Sequence, residues 1–216
     1  MNLLIMGAAG SGKGTMSKLI SKKYHITHIS TGDMFRTAIK KKTPLGKLAE
    51  KYINQGKLVP DDVAIMIMEE RLNEKDTENG FLIDGFPRTL AQAHSLESLM
   101  QRVNKPLDLI INLVVGIEAL GPRITGRRVC QNCGEVYHIV NSPSKVPGIC
   151  DVCGGKLVHR EDDTLERLET RLKEHHILTE PVLDYYHKLG IVVDIDATPS
   201  IEEVWHSIDT VLEKMV

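Results

Sequence analysis

Charge of one sign is scarce in this sequence. Its 27 Lys and Arg against 29 Asp and Glu leave a net charge of −2, which offers no broad electrostatic footprint for nucleic acid or an anionic membrane. Long apolar runs are missing too: no stretch approaches the ~20 apolar residues of a membrane span. The N-terminus reads straight into an apolar strand rather than a secretory signal, so a cytoplasmic chain is expected. Cysteine is limited to four residues, and in a reducing compartment these are expected as thiols or metal ligands rather than disulfides. No internal repeat or low-complexity tract is evident. With 42% hydrophobic and 26% charged residues among 216, the chain can fold as one globular domain, with or without insertions.

What is present begins at the N-terminus. Leu3, Leu4, Ile5 and Met6 form a short continuous apolar run, the pattern of a strand buried on both faces. Gly7, Gly10, Gly12 and Gly14 then break the chain around Lys13, and after Thr15 the sequence turns amphipathic. Gly7, four intervening residues, Gly12 and Lys13 satisfy G-x-x-x-x-G-K. Strand, glycine loop with lysine and then helix is the arrangement that cradles phosphates, through close backbone amides, the helix N-terminus and one full positive charge. The hydroxyl that usually follows the lysine directly comes one position later, at Thr15, and the dinucleotide fingerprint fails because Thr15 replaces its last glycine. A nucleoside triphosphate site is expected.

Further along, His28-Ile29-Ser30 reads as a short strand, and Thr31 stands where a helix N-cap would. Helical patterns then fill the chain to Arg71, with Thr43-Pro44 and Pro60-Asp61-Asp62 as helix starts. Phe81 to Asp84 is a second buried strand, ending in an acid suited to hold magnesium directly or through water. Arg88, just beyond it, can grip phosphate bidentately. Helix from Thr89 to Arg102 and strand from Leu107 to Val115 follow. Gly121-Pro122 conflicts with a helix running toward Arg123, which is therefore expected to be very short or bent. A long helix from Asp163-Thr164, bending at Pro181, a last strand from Ile191 to Ile195 and a final helix capped by Ser200 complete the pattern. Strands alternating with helices predict a parallel sheet covered on both faces.

The segment from Gly126 to Asp163 differs in character: turn-rich, with β-like pieces at Val136 to Val140 and Lys156 to Val158. It holds Cys130-x2-Cys133 and Cys150-x2-Cys153, the spacing of a four-cysteine zinc site. Four thiolates close the coordination sphere, so the zinc is expected to be structural. Gly134 and Gly154 suit tight turns whose amides face the sulfurs, while His138 and His159 are expected as exposed polar residues. Arg123, Arg127, Arg160 and Arg171 bracket or follow this module. Phosphoryl transfer gives such residues a use, because its transition state spreads negative charge over several oxygens.

The chain resembles the adenylate kinases of the zinc-lid type found in many bacteria. The resemblance rests on Gly7 to Thr15, S-T-G-D-x-x-R from Ser30 to Arg36, Gly56 to Asp61, D-G-F-P-R-T from Asp84 with Gln92, Arg123 to Arg128, the four cysteines, Arg160 to Asp163 and Arg171. It implies an α/β P-loop nucleoside monophosphate kinase fold with a sheet of about five parallel strands covered by helices on both faces. Residues 1–30, 60–125 and 164–216 would form the core, 31–59 a helical AMP-binding insertion and 126–163 a small β-rich zinc lid. The implied reaction is reversible, ATP plus AMP giving two ADP, with magnesium, in a cytoplasmic monomer that needs neither nucleic acid nor membrane.

By that resemblance Gly10, Ser11, Gly12, Lys13, Gly14 and Thr15 hold the donor phosphates. Arg127, Val136 and Tyr137 border the donor nucleotide, and Pro199 its adenine. Thr31, Arg36, Lys57, Leu58, Val59, Gly85, Phe86, Pro87, Arg88 and Gln92 form the AMP site, together with Arg160 and Arg171, and Gln92 would pair with the adenine edge. Arg123, Arg160 and Arg171 clamp the transferring group, and Asp84 orients magnesium's waters. Ala9 stands where the family's loop usually has proline and Met16 where glutamine is common. Kinases for UMP, CMP or GMP, an adenylate kinase preferring GTP as donor, a nucleotide-dependent switch and a zinc-ribbon nucleic-acid binder are the alternatives. The acceptor motifs speak against a switch, and the net charge against the nucleic-acid binder.

Overall fold

A computed structural model describes residues 1–215. Strands β1 (Asn2–Gly7), β2 (Thr27–Ser30), β3 (Phe81–Asp84), β4 (Leu109–Val114) and β8 (Val192–Asp196) form one sheet, every neighbouring pair parallel, in the order β2-β3-β1-β4-β8. The expected five-stranded parallel sheet is therefore present. The chain leaves β1 on one side for β2 and β3 and crosses to the other for β4 and β8. The loop after β1 thus opens where the strand order reverses, the usual ligand crevice of an open α/β sheet.

Alternation along β1 explains the double cover. Leu3 and Ile5 point to one face, with Met16 and Ile20 of α1 (Lys13–Tyr24) and Val204, Ile208 and Leu212 of α9 (Ile201–Leu212). Leu4 and Met6 point to the other, against Met68 of α4 (Asp61–Leu72), Leu96 of α5 (Leu90–Arg102) and Tyr186 of α8 (Glu180–Lys188). A strand buried on both faces must be apolar throughout, so β1 shows no polar alternation.

Between β2 and β3 lie α2 (Thr31–Lys40), α3 (Pro44–Ile53) and α4, with no strand among them. Between α6 (Ile117–Thr125) and α7 (Leu165–Glu174) a separate antiparallel sheet forms from β5 (Arg127–Cys130), β6 (Val136–His138) and β7 (Leu157–Val158), in the order β6-β5-β7.

Several local expectations are corrected. Ser30, not Thr31, caps α2, accepting a hydrogen bond from the Asp33 amide; Thr31 is buried and donates its hydroxyl to the Gly85 carbonyl at 2.9 Å. The helix around Pro122 is short but continuous over nine residues. Its missing N–H would have met the carbonyl of exposed Glu118 in the first turn, which solvent can satisfy. The long helix after Thr164 breaks before Pro181 rather than at it. His175–Thr179 forms a π-helical turn in which the Glu180 N–H bonds the His175 carbonyl, and Pro181 falls in the first turn of α8, where it needs no donor. The Gly134 and Gly154 amides bond the carbonyls of Cys130 and Cys150 instead of sulfur. His138 is half-buried, its Nε2 3.1 Å from the Pro122 carbonyl, so it fastens the small sheet to α6. His159 is exposed, as expected.

Candidate active site

The loop after β1 has its shape imposed by contact. A Cβ at Gly7, whose φ is +133°, would lie 2.6 Å from the Leu113 carbonyl oxygen. At Gly12, with φ +101°, a side chain would meet only open space, so there the backbone conformation itself calls for glycine. Helix α1 starts at Lys13 with no acid in its first turn and no side-chain cap. Its first amides and the positive end of its dipole are left for an anion. Lys13 folds back over this loop, donating to the Gly7 carbonyl at 2.7 Å and the Ala8 carbonyl at 2.8 Å.

These groups line a cavity of about 710 Å³ reaching from the Pro199 backbone past the glycine loop to Arg88. Gly10 to Thr15, Arg36, Asp84, Arg88, Arg123, Arg127, Val136, Tyr137, Arg160 and Arg171 all face it. A contiguous smaller recess is lined by Thr31, Lys57, Leu58, Val59, Gly85, Phe86 and Gln92. The structure thus gathers the sequence-derived candidates into one cleft with two lobes; Pro87 lies on its wall.

Cations dominate its centre. Burial pushes the Lys13 ammonium down to about 8, with Asp84 pulling up and Arg88, Arg171 and Arg127 pushing down. Burial likewise takes Arg160 and Arg171 down to about 10, and lowers Arg88. Burial opposes ionisation of Asp84, but the neighbouring His28 imidazole, Lys13 and Arg88 outweigh it and hold its carboxyl below the usual range. An array of positive groups held out of water, lacking an equal number of anions, is prepared for a polyphosphate.

Each arginine has a partner, and Arg36 and Arg160 share one. Arg127 grips the fully buried Asp163 with both Nε and Nη2. Arg171 lies 3.4 Å from Asp162, Arg36 donates to Asp33 at 2.6 Å, and Arg160 stands 3.8 Å from Asp33. Arg88 Nε is fixed by the Gly85 carbonyl at 2.7 Å. Arg123 departs from the phosphoryl clamp expected for it. Its guanidinium donates to the carbonyls of Ala197 and Thr198, at 2.8 and 3.1 Å, on the Pro199 side of the cleft. Gln92, 2% exposed, uses its amide on the Arg88 N–H and on Asp61.

Sequence reasoning quoted Asp33, Asp61, Asp162 and Asp163 within motifs but gave them no role in the site, and it passed over His175. The adjacent carboxylates two residues past Arg160 were the available signal for Asp162 and Asp163. His175 faces the cleft from the π-helical turn, and burial with Lys13 nearby pushes its imidazole down to about 4.

In the small sheet the four cysteine sulfurs lie within 4.8 Å of one another. Cys130 Sγ is 3.4 Å from Cys153 Sγ, and Cys133 Sγ is 3.6 Å from Cys150 Sγ. A tetrahedral zinc with Zn–S bonds of ~2.3 Å places its sulfurs about 3.8 Å apart, so this donor set fits that ion. The Tyr137 hydroxyl lies 3.5 Å from Cys150 Sγ and accepts the Asp151 N–H at 2.8 Å.

The profile of the family described as "Adenylate kinase" matches residues 5–191. The chain belongs to the adenylate kinase family. It is 50% identical over 215 residues to an adenylate kinase of Archaeoglobus fulgidus, covering 100% of this chain and 99% of that one. It is 50% identical over 214 residues to one of Carboxydothermus hydrogenoformans, covering 99% and 100%, and 47% identical over 215 residues to one of Staphylococcus epidermidis, covering both in full. The chain is thus an adenylate kinase-family enzyme, and its parallel sheet with a glycine loop after β1 is the P-loop nucleoside monophosphate kinase fold. No helix among the described residues is long and apolar enough to cross a membrane.

Proposed function

We propose that this enzyme transfers the terminal phosphoryl group of magnesium-bound ATP to AMP, giving two ADP, and that residues 31–59 and 126–163 close over the two substrates. The observation that carries this is the position of Asp84, Arg88, Arg127 and Arg171 around Lys13, between two lobes of a single cleft. A phosphatase or a switch has little use for a second nucleotide lobe.

In this reading the glycine-loop amides and Lys13 bind the donor phosphates, with adenine between Arg123 and the Pro199 backbone. Thr31, Arg36, Lys57 to Val59, Gly85 to Arg88 and Gln92 hold AMP. A phosphate oxygen of AMP forms its bond to the γ-phosphorus as the bond to the bridging oxygen of the departing ADP breaks. Lys13, Arg88, Arg160 and Arg171 stabilise the charge that spreads over the transferring group. Asp84, kept ionised, is the carboxylate suited to the waters of magnesium, which when bound with ATP supplies charge neutralisation across the phosphates. No side chain becomes a covalent nucleophile.

Closure is supported by contacts that already span the cleft mouth. Lys40 of α2 donates to the Gln131 carbonyl at 3.1 Å, and Lys18 of α1 lies 3.1 Å from Glu135. Excluding water in this way protects ATP from hydrolysis until AMP is in place. The cysteine site, loaded with zinc, would hold the small sheet rigid enough to present Arg127, Val136 and Tyr137.

ADP formation from ATP and AMP across pH tests the central cation. Because Lys13 is pushed down to about 8 in the free protein, kcat/KM for ATP is expected to fall as pH rises through about 8. Bound phosphates favour the ammonium, so kcat should hold to higher pH. Profiles of kcat/KM and kcat that fall together well above that pH would remove Lys13 as the controlling charge.

A further inference from the structure

Asp61 is the first residue of α4, where an acid ordinarily does no more than complement the helix dipole. Here both its oxygens are committed across to α5. Oδ2 accepts from the Thr89 hydroxyl at 2.8 Å, and Oδ1 from Gln92 Nε2 at 2.7 Å. On the opposite side of the same amide, Gln92 Oε1 accepts from the Arg88 backbone N–H at 2.8 Å.

These partners decide which way the amide points. A carboxylate can only accept and a peptide N–H can only donate, so nitrogen must face Asp61 and oxygen must face Arg88. The ambiguity that attends most glutamine side chains is removed by chemistry alone. Each amide atom keeps one further valence, an N–H and a lone pair, and Gln92 borders the acceptor recess. The recess therefore meets a donor and an acceptor in a fixed order.

Purines differ in that order. A 6-aminopurine offers a donor on the exocyclic nitrogen beside an acceptor at N1, whereas a 6-oxopurine offers an acceptor at O6 beside a donor at N1. An amide free to turn over can satisfy either; one clamped at both ends satisfies one. We propose that Asp61, together with the Arg88 N–H, fixes the hand of the Gln92 amide and thereby makes the acceptor site select 6-amino over 6-oxo purine monophosphates. Asp61 touches no substrate in this scheme and acts as a positioning residue. The inference rests on the reading of Gln92 as the contact to the acceptor base.

The test compares kcat/KM for AMP and GMP, with ATP as donor, in the wild type, Asp61→Ala, Asp61→Asn, Gln92→Ala and the Asp61→Ala/Gln92→Ala double variant. A hydrogen bond to a charged group is lost in Asp61→Ala, so the AMP-to-GMP ratio is expected to fall on the order of ten- to a hundredfold. Asp61→Asn, which keeps the shape and one acceptor oxygen, should retain most of the ratio. The double variant should match Gln92→Ala, because Asp61 acts only through that amide. Equal losses for both nucleotides in Asp61→Ala, or additive losses in the double variant, would reduce Asp61 to a structural tie and overturn the proposal. If Gln92→Ala itself leaves the ratio unchanged, the reading of Gln92 fails, and with it the inference. Should Asp61→Ala not fold, Asp61→Ser carries the same comparison, since its side chain ends one bond short of the two carboxylate oxygens that reach Thr89 and Gln92.

Discussion

Replacing Lys13 with methionine is expected to lower kcat by about 10²–10³-fold or more while leaving the melting temperature unchanged or slightly higher. The two halves of this result have one cause. Burial and the neighbouring Arg88, Arg171 and Arg127 make the ammonium costly to keep in the empty cleft, as its depressed value of about 8 records. A lysine whose folded value lies below its unfolded value destabilises the fold at neutral pH. That cost fades as pH rises from about 8 toward 10.5, the ordinary value of a lysine. Methionine has similar reach and no charge, so the variant is relieved of the cost. It loses the hydrogen bonds to the Gly7 and Ala8 carbonyls, which works the other way. Catalysis has no such compensation, because that charge is the one full charge on the donor loop. Paired thermal melts and turnover measurements read both quantities; a large fall in stability would make Lys13 a structural tie instead.

Stripping zinc from protein loaded at the cysteine site should have the second largest effect, with the opposite division. Chelation, or Cys150→Ser, is expected to lower the melting temperature by about 10 °C and to leave measurable turnover at low temperature. Cys130, Cys150, Tyr137 and Leu157 are the buried cluster of the small sheet, and among the described residues no other large apolar residue is buried with them. A module with so small a core needs a staple. Turnover should fall more steeply with temperature than in the intact enzyme, because Val136 and Tyr137 on the cleft wall belong to that sheet. Melting followed with metal content on the same samples checks this. Full loss of activity with the fold and the metal intact would mean that a thiol takes part in the reaction.

Much of the site was legible because its parts are contiguous. Gly7 to Thr15 carries strand, loop and lysine in one run, Asp84 to Thr89 carries the acid and arginine, and paired C-x2-C spacings announce a metal. The apolar strands were legible for a related reason: burial on both faces leaves apolar runs in β1, β3 and β4, the last broken only by Asn112. What escaped depends on pairs brought together only by folding. Arg127 and Asp163 lie 36 residues apart, and Asp61 and Gln92 lie 31 apart. Nothing in the spacing of either pair marks them. The exchange of roles between Ser30 and Thr31 escaped for a subtler reason. Adjacent hydroxyls are equal candidates for a cap until the turn after β3 brings in the Gly85 carbonyl that claims Thr31. Of the two outcomes expected around Pro122, the helix is the short one: α6 has nine residues and little interior for proline to disrupt.

The most direct measurement is ADP production by the zinc-loaded enzyme with ATP and magnesium, alone and with AMP, GMP, UMP or CMP. Rapid ADP formation with AMP, slower turnover of the other acceptors and little release of phosphate from ATP alone is the expected result. ATP hydrolysis that ignores AMP, or faster turnover of a pyrimidine monophosphate, would contradict the assignment of the second lobe to AMP.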